Sequence, residues 1–281
     1  MLFVPAHQEK FVLRAQERGA DAVILDLEDS VPEAEKQAAR EALPGAVAHL
    51  AQFGLQIVVR VNSGLGACSR DLEAAALPGV SALIVPKAAS PGQMVWIDDY
   101  LLALEAQVNL PLRGIGLIAL VESAFALQAL PAIAKATPRM RALALGTEDF
   151  SNACGHDPTP ESLTAPCQQL VWAARSAGLE AVGLPDSIGH VQDRARFEAA
   201  ATRARALGMN GILCIHPVQV ALANKAFQPD EAELAHARRI LSAFEAAGRG
   251  AVMVDGEMVD PPVAQRARAM LEAARLQKIP A

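Results

Sequence analysis

The chain has 281 residues, a formal net charge of −6 and a pI of about 5.6, and it is 52 % hydrophobic but only 4 % aromatic. Apolar volume supplied by small aliphatic residues favours helices packed on a parallel sheet over an all-β sandwich. No run rich in lysine or arginine is present, which argues against a nucleic-acid-binding surface. No stretch reaches the roughly 18 uncharged apolar residues of a membrane span.

The four cysteines are Cys68, Cys154, Cys167 and Cys214. Their spacing matches neither a C-x-x-C pair nor a zinc pattern, and no leader with basic and long apolar regions opens the chain. We therefore expect reduced thiols in a cytoplasmic protein that has no nucleic-acid or membrane partner.

Short β-branched apolar runs alternate with helical stretches along the chain. The eight runs span residues 2–6, 22–28, 56–62, 82–88, 114–122, 141–149, 180–186 and 211–217. Apolar strands that each lead into a helix indicate a parallel sheet covered by helices, and eight such units close a (β/α)8 barrel. The expected fold class is therefore an α/β TIM barrel. An open, doubly wound sheet is the alternative, although no G-x-G-x-x-G motif follows the first run.

Residues 229–281 depart from this alternation. A helical stretch precedes the run 251–260, which indicates a hairpin around Asp255-Gly256, and a last helix follows. The sequence thus predicts a barrel over residues 1–228 and a small C-terminal α-β-β-α lid appendage over 229–281. We expect the appendage to be too small to bury its own core, and to pack on its own barrel or on a neighbouring subunit.

Polar side chains end most of the predicted strands. They are Glu28 and Asp29 (strand 2), Arg60 and Asn62 (strand 3), Lys87 (strand 4), Glu122 (strand 5), Glu148 and Asp149 (strand 6), and His216 (strand 8). The opposite ends of the strands begin with small or apolar residues. Because catalytic groups of such barrels come from the C-terminal ends of the strands, this asymmetry places the functional site there.

Glu122 and Asp149 are the clearest pair of candidate metal ligands. Consecutive strands lie roughly 4.8 Å apart, so carboxylates ending strands 5 and 6 could reach one cation. Two carboxylates without a nearby His or Cys suit Mg²⁺, which keeps other positions for water and substrate. The alternative is that these acidic groups only favour the N-termini of the helices that follow.

Arg60 ends an otherwise apolar strand, and its planar guanidinium matches a carboxylate bidentately. We interpret it as an anion-binding residue; an ion pair with Glu28 or Asp29 on the neighbouring strand is a compatible alternative. Lys87 could form a Schiff base, contact an anion or bridge structural groups, and the structural role is favoured. His216 is interpreted as a hydrogen-bonded structural residue.

Eight motifs in order match one known family. They are L-F-V-P (2–5), D-A-V-I-L-D-L-E-D-S-V-P (21–32) with K-x-x-A-R (36–40), V-R-V-N (59–62), I-V-P-K (84–87), L-I-A-L-V-E-S-A (117–124), A-L-G-T-E-D-F (144–150), C-I-H-P-V-Q (214–219) and D-G-E-M-V-D-P-P (255–262). Together they resemble the citrate lyase β-subunit-like group of the HpcH/HpaI aldolase superfamily, relatives of malyl-CoA and citramalyl-CoA lyases.

The resemblance implies a Mg²⁺-binding (β/α)8 barrel assembled as a homotrimer or hexamer. It implies cleavage of a citryl-, malyl- or citramalyl-type thioester to an oxo acid, such as oxaloacetate, and an acetyl thioester, or the reverse condensation. The thioester carrier could be coenzyme A or an acyl carrier protein. A β-subunit of a multi-component citrate lyase, a pyruvate-type aldolase and a non-catalytic barrel that binds an oxo acid remain alternatives.

The resemblance also implies residue roles. Glu122 and Asp149 would hold the metal, and Glu122 and Arg60 would bind substrate, with Arg60 on the carboxylate of the oxo-acid fragment. Asp260 would be an acid/base residue, which relatives supply from the C-terminal lid of an adjacent subunit.

Three further carboxylates on strand 2 then take supporting roles. Glu28 and Asp29 would hydrogen-bond to metal-bound waters and to the arginine and hold both in position. Asp26 is interpreted as a buried partner for a cation lower in the barrel.

Two departures from the family pattern stand out. Met1 occupies the position before L-F-V-P where relatives commonly have Arg-Ser, and Gly183-Leu184-Pro185 stands where many have Asp-Gly. Substrate or thioester contacts on that side are therefore expected to differ.

Overall fold

The computed structural model describes residues 1–248 and 250–277, the side chains of 275–277 excepted. It divides into two compact units, Met1–Lys225 and Ala226–Ala281. Among the described residues, no helix is both long enough and apolar enough to cross a membrane.

The first unit is built on one parallel sheet of seven strands, paired in sequence order. The strands are β1 (Leu2–Pro5), β2 (Ala22–Asp26), β3 (Gln56–Arg60), β4 (Val80–Val85), β5 (Gly116–Val121), β6 (Met140–Leu145) and β7 (Glu180–Val182). The predicted parallel α/β architecture is thereby confirmed.

Ten α-helices of the described chain follow these strands or connect them. They are α1 (Glu9–Val12), α2 (Lys36–Ala51), α3 (Leu65–Ala75), α4 (Pro91–Gln107), α5 (Ala124–Gln128), α6 (Leu130–Ala134), α7 (Thr147–Cys154), α8 (Pro160–Ser176), α9 (Arg194–Leu207) and α10 (Pro217–Phe227), with 3₁₀ turns at Ala15–Arg18 and Glu33–Glu35. Local sequence fixes several helix starts: Thr159 and Ser162 form a capping box around α8, and Pro160 occupies its first turn.

The apolar core lies inside the curled sheet and between the sheet and its helices. Alternate residues such as Ile24, Val58, Ile84 and Ile118 form one cluster on the inner face. Their neighbours on the strands, such as Leu25, are also fully buried because helices cover the outer face.

The predicted eighth strand at residues 211–217 is not a regular strand. Gly211 bridges Val182 on β7, and Cys214 bridges Leu2 on β1, so this segment touches both edges of the sheet through single residues. The N–H groups of Ile215 and His216 donate to the side chain of Gln219 on α10 instead of to a neighbouring strand. This side-chain acceptor, together with the helix that starts at Pro217, ends the extended segment early.

A buried ion network holds the opposite, N-terminal ends of β5 and β6. Arg139 is fully buried and donates bidentately to Glu105 at 2.7 Å for both bonds. Its Nε donates to Asp98 at 2.5 Å, and the Thr137 hydroxyl donates to the same carboxylate at 2.6 Å. Burial alone would raise the pKa of Asp98 and of Glu105, but these hydrogen bonds and the guanidinium charge lower both.

The second unit contains α11 (Glu231–Ala246), the antiparallel pair β8 (Val252–Val254) and β9 (Glu257–Val259), and α12 (Pro261–Gln277). The predicted hairpin turns at Asp255 and Gly256, which both have positive φ. The expectation that this appendage could not bury a core is wrong. An apolar cluster that includes Ile240, Phe244 and Val259 is buried among its helices and hairpin.

Candidate active site at the ends of the strands

A cavity of about 450 Å³ opens at the C-terminal ends of the strands. Its polar lining residues are Asp26, Asp29, Ser30, Arg60, Glu122, Thr147, Glu148 and Asp149, and its large apolar ones are Phe3, Leu120, Leu145, Leu184, Ile188, Ile212, Leu213 and Ile215. The structure therefore brings together, in one cavity, the strand-end groups Asp29, Arg60, Glu122 and Asp149 that the sequence singles out.

Arg60 lies at the centre of a carboxylate cluster. Its Nε and Nη2 donate to both oxygens of Asp26 at 2.6 and 2.7 Å, and Nη1 donates to Asp29 at 3.1 Å. Nη1 also lies 3.2 Å from Glu28, and the guanidinium carbon lies 4.6 Å from the centre of the Phe3 ring. The ion pair with the neighbouring strand, offered by the sequence as an alternative, is present, and its main partner is Asp26.

Asp26 is fully buried and ends β2. It accepts hydrogen bonds from the N–H groups of Glu28 and Ser30 as well as from the guanidinium of Arg60. Burial alone would raise its pKa, but the hydrogen bonds and charge of Arg60 outweigh burial and lower it. These N–H bonds turn the chain out of the strand, which is why β2 stops two residues before the end of the predicted run.

Lys87 and Glu28 link neighbouring strand ends. The Lys87 ammonium donates to Glu28 Oε1 at 2.8 Å, which is the structural role favoured by the sequence. Burial raises the pKa of Glu28 despite this bond. The backbone of Lys87 has a φ of 49°, an uncommon conformation for a non-glycine residue, and it aims the Lys87 N–H at the carboxylate of Glu122.

Glu122 is a buried carboxylate, and one of its two oxygens accepts a hydrogen bond. Its Oε2 accepts the Lys87 N–H at 2.5 Å, and no other hydrogen bond to its side chain is found among the described residues. Burial raises its pKa to about 8, and the negative charges of Glu28 and Asp149 add to the effect. A cation beside Glu122 would relieve both the burial cost and this repulsion.

Gly146 leaves the space that Glu122 occupies. A Cβ atom at this position would lie 2.6 Å from Glu122 Cγ and 2.7 Å from Glu122 Oε1. The glycine lies between β6 and α7 and was not singled out from the sequence, because the close approach depends on a residue of the neighbouring strand.

Glu148 and Gln219 fix the loop after β7, and sequence reasoning missed both roles. Glu148 Oε1 accepts from the Ser187 hydroxyl at 2.7 Å and from the Ile188 N–H at 3.0 Å. Gln219 donates to the Ile188 carbonyl at 2.8 Å. The loop that carries Leu184 and Ile188 into the cavity is thus held from two sides.

Lys36 and Arg40 account for the K-x-x-A-R motif. The Lys36 ammonium donates to the carbonyls of Leu27 and Glu28 and to the side chain of Asn62, at 2.7–2.8 Å. Arg40 pairs with buried Asp71, which in turn accepts from the backbone and side chain of Asn62. Both basic residues therefore brace the ends of β2 and β3 rather than face the cavity.

The two remaining candidates make local contacts. His216 Nδ1 accepts the Val218 N–H at 3.2 Å, which agrees with a structural role. Asp260 belongs to the second unit, where it accepts the Val263 N–H at 3.2 Å at the start of α12.

The donor set fits a hard cation such as Mg²⁺. No group of three or more His, Cys, Asp or Glu side chains poised to hold a metal occurs in the described part of the chain. Mg²⁺ commonly uses only one or two carboxylates and completes its shell with water and substrate. Glu122, with one oxygen left over, and the neighbouring Asp149 line the same cavity and supply such a pair.

Comparison with known proteins decides the family. The family model for HpcH/HpaI aldolase/citrate lyase matches residues 1–217. The chain belongs to this family. The citrate lyase subunit beta of Escherichia coli K12 is 35 % identical over 99 % of this chain and 94 % of its own length. The L-malyl-CoA/beta-methylmalyl-CoA lyase of Rhodobacter capsulatus is 31 % identical over 99 % and 95 %.

Solved structures of family members have the same overall fold. CitE of Mycobacterium tuberculosis, in complex with magnesium, acetoacetate and coenzyme A, superposes with a TM-score of 0.79 at 32 % identity and covers 98 % of this chain and 97 % of its own. A citrate lyase beta subunit of the same organism, in complex with oxaloacetate and magnesium, gives 0.63 at 30 % identity and covers 81 % and 96 %. These relatives, whose structures contain magnesium and an oxo acid, therefore share the fold of the sheet that carries the cavity in this chain.

Proposed function

We propose that this chain is a Mg²⁺-dependent carbon–carbon lyase that cleaves a 3-hydroxyacyl thioester to an oxo acid and an acetyl thioester, and catalyses the reverse condensation. The observation that carries the proposal is the pairing of buried Glu122 with Asp149 in one cavity with Arg60. The relatives named as lyases and the magnesium complex with coenzyme A support it.

Glu122 and Asp149 would hold the cation in this proposal. When bound, Mg²⁺ supplies Lewis acidity, which lowers the pKa of a coordinated hydroxyl and stabilises negative charge on oxygen. The raised pKa of Glu122 fits this role, because a cation favours the ionised carboxylate that burial alone disfavours.

The chain's own residues orient the substrate and stabilise charge. Arg60 stays protonated because its hydrogen bonds with Asp26 and the neighbouring carboxylates raise its pKa despite burial. Arg60 lines the cavity, and an N–H group that Asp26 and Asp29 leave unused would meet the carboxylate of the oxo-acid fragment. The N-terminus of α7 has no side-chain cap, so N–H groups near Thr147 offer a second set of donors.

The bond change has a simple balance. A general base takes the proton of the substrate hydroxyl, and the oxygen forms the carbonyl of the oxo acid. The bond between the carbinol carbon and the carbon next to the thioester carbonyl breaks, and the electron pair of that bond forms the enolate of the acetyl thioester. Protonation of the enolate carbon completes the acetyl thioester. We assign that proton to Asp260, supplied from the lid of an adjacent subunit in a homotrimer or hexamer. Each subunit would be a (β/α)8 barrel in which residues 211–214 close the sheet.

The identity to citrate lyase subunit beta favours a second candidate, a subunit that acts on an acyl-carrier-protein thioester within a larger complex. Size-exclusion chromatography with a carrier protein separates the two. Cleavage of a free coenzyme A thioester by the isolated chain supports the stand-alone enzyme, whereas activity only with the carrier supports the subunit.

The metal assignment is tested with Glu122→Gln and Asp149→Asn. We expect each variant to lose at least about tenfold in Mg²⁺-dependent binding of an oxo acid by calorimetry, because each removes one of two anionic ligands. The matched control is Glu41→Gln, which changes an exposed residue of α2. Unchanged binding in both Glu122→Gln and Asp149→Asn would contradict the assignment of these residues as metal ligands.

A further inference from the structure

Ile188, in the loop after β7, is held through both of its backbone polar groups. Its N–H donates to Glu148 Oε1 at 3.0 Å, and its carbonyl accepts from the side chain of Gln219 at 2.8 Å. Loop residues normally lie at the mobile surface of a fold. Here two side chains from different helices, α7 and α10, fix a residue that lines the cavity.

Glu148 makes a second bond to the same loop. Its Oε1 atom also accepts from the Ser187 hydroxyl at 2.7 Å, and the Ser187 oxygen in turn accepts the Gly189 N–H at 3.1 Å. Three consecutive loop residues are therefore tied, directly or through Ser187, to one carboxylate oxygen of α7.

Glu148 also directly precedes the proposed metal ligand Asp149 in the first turn of α7. Successive residues of a helix point about 100° apart around its axis, so the two carboxylates diverge from one turn. Asp149 lines the cavity together with Glu122, while Glu148 reaches across to the loop. One helical turn thus fixes a candidate metal ligand and the position of Ile188.

The contacts of Glu148 differ from those of a helix cap. The sequence left open that this acidic residue only favours the N-terminus of the helix that follows β6. Among the described residues, its side-chain hydrogen bonds go to Ser187 and Ile188, and α7 has no side-chain cap hydrogen bond. Its contacts therefore indicate a role in the loop.

The wall to which Ile188 belongs supplies contacts and no chemical groups. The hydrocarbon side chains on this side of the cavity are those of Leu184, Ile188, Ile212, Leu213 and Ile215. Such side chains neither transfer protons nor pair with charge, so they contact a substrate equally before and during bond cleavage. Uniform contacts of that kind lower KM and leave kcat unchanged.

We propose that Glu148 is a positioning residue that holds Ile188 against the bound substrate and takes no part in metal binding or proton transfer. This inference rests on the proposed lyase function and gives a role to a cavity residue that the metal and anion assignments leave unused. The turn that supplies Asp149 thereby also sets the distance from the cation site to the apolar wall.

The kinetic test compares Glu148→Ala, which removes both hydrogen bonds, with Glu148→Gln, whose amide oxygen can accept them. The purified full chain is assayed with Mg²⁺ and the fastest-cleaved of malyl-, citramalyl- and citryl-CoA. We expect Glu148→Ala to raise KM at least about fivefold with kcat within about twofold of the parent, and Glu148→Gln to keep both constants within about twofold. An unchanged KM in Glu148→Ala, a loss confined to kcat, or equal losses in both variants would overturn the inference.

Metal affinity separates positioning from metal binding. In calorimetric titrations with Mg²⁺ alone, Glu148→Ala should stay within about threefold of the parent, whereas Asp149→Asn should lose at least about tenfold. A loss in Glu148→Ala as large as that in Asp149→Asn would make Glu148 a metal ligand and overturn the inference.

Hydrogen exchange tests the contact without catalysis. The Ile188 N–H should exchange at least about tenfold faster in Glu148→Ala than in the parent or in Glu148→Gln, because it loses its acceptor. Mass spectrometry of a peptide that covers residues 183–189 measures this rate, and equal rates in all three proteins would overturn the inference.

A binding measurement keeps the two proposals separate. If none of the three thioesters is cleaved, the lyase function fails, and calorimetry with Mg²⁺ and oxaloacetate still decides the role of Glu148. Binding that is at least about fivefold weaker in Glu148→Ala, but not in Glu148→Gln, supports the inference. Equal binding by the parent and both variants overturns it.

Glu41→Ala on α2 is the matched control. Glu41 is an exposed glutamate that accepts a side-chain hydrogen bond from Gln37 and does not line the cavity, so this variant should match the parent in every measurement. If Glu148→Ala does not fold, Ser187→Ala replaces it and removes one of the two bonds. We then expect KM to rise at least about twofold at constant kcat, and an unchanged KM counts against the inference.

Discussion

At the scale of single residues, Gly146 stands where any side chain would meet the carboxylate of Glu122. Gly146→Ala places a Cβ within 2.7 Å of Glu122 Oε1, and the neighbour in the way is a buried side chain with little room to move. We expect Mg²⁺-dependent oxo-acid binding to weaken by at least about tenfold, measured by calorimetry.

The control for that substitution is Gly45→Ala on α2. No heavy atom lies within 4 Å of a Cβ built there, and the residue is inside a helix. We expect the control to bind like the parent and to gain up to about 1 kcal/mol in stability. Equal binding by both alanine variants would mean that the position of Glu122 does not depend on Gly146.

Arg60→Lys removes the bidentate contact with Asp26 but keeps a positive charge. Because Asp26 is fully buried, we expect the free energy of unfolding to fall by about 1.5–3 kcal/mol in urea denaturation. Oxo-acid affinity should also fall, because an ammonium cannot replace the planar fork. If Arg60→Lys still binds Mg²⁺ normally, the oxo-acid contact of Arg60 is separate from the metal-binding role of Glu122. An unchanged free energy of unfolding would contradict a stabilising role for the ion pair between Arg60 and Asp26.

At the scale of elements, α4 is tied to β5 and β6 by the network around Arg139. The pKa values of Asp98 and Glu105 are lowered, so the folded state binds fewer protons than the unfolded state in acid. This contribution to stability is complete above the unfolded pKa values near 4 and is lost as the pH falls through the folded ones.

Glu105→Gln tests the network. The variant should lose about 3–5 kcal/mol at pH 7, because Arg139 would be buried without its bidentate partner. Its stability should also depend less on pH than that of the parent between pH 5 and 3, measured by urea denaturation. Glu41→Gln, at an exposed site, should follow the parent curve, and a Glu105→Gln curve parallel to the parent would contradict the lowered pKa.

The elements also show where sequence reasoning works and where it stops. The apolar runs of the sequence correctly predicted the positions of seven strands, because a strand buried on both faces needs an unbroken apolar segment. The run at 211–217 carries the same pattern, yet Gln219 takes two of its N–H groups. That competition depends on a side chain of the following helix and is invisible in the hydrophobic pattern.

Sequence patterns predict only part of the candidate site as well. The sequence places Asp29, Arg60, Glu122 and Asp149 at the same end of the sheet, because parallel strands share one C-terminal edge. The contact between Gly146 and Glu122 depends on distances between side chain and backbone across strands. No periodicity encodes such a distance.

At the scale of the whole molecule, the chain consists of two units, and the proposed proton donor Asp260 belongs to the second. If Asp260 acts on the cavity of an adjacent subunit, a mixture of Asp260→Ala and Arg60→Ala subunits should regain up to about a quarter of the activity per shared site, because random assembly pairs intact halves at that frequency. Activity assays after verified subunit exchange measure it. No recovery would argue against a shared site.

The buried Arg139 network and the cavity mark opposite ends of β5 and β6. Six-residue strands span about 20 Å, so the two ends lie too far apart to share side-chain contacts. Substitutions at the two ends should then have additive effects on stability. A protein engineer can therefore redesign the loops around the mouth for a new substrate while strengthening the far end, and can treat the two tasks as independent.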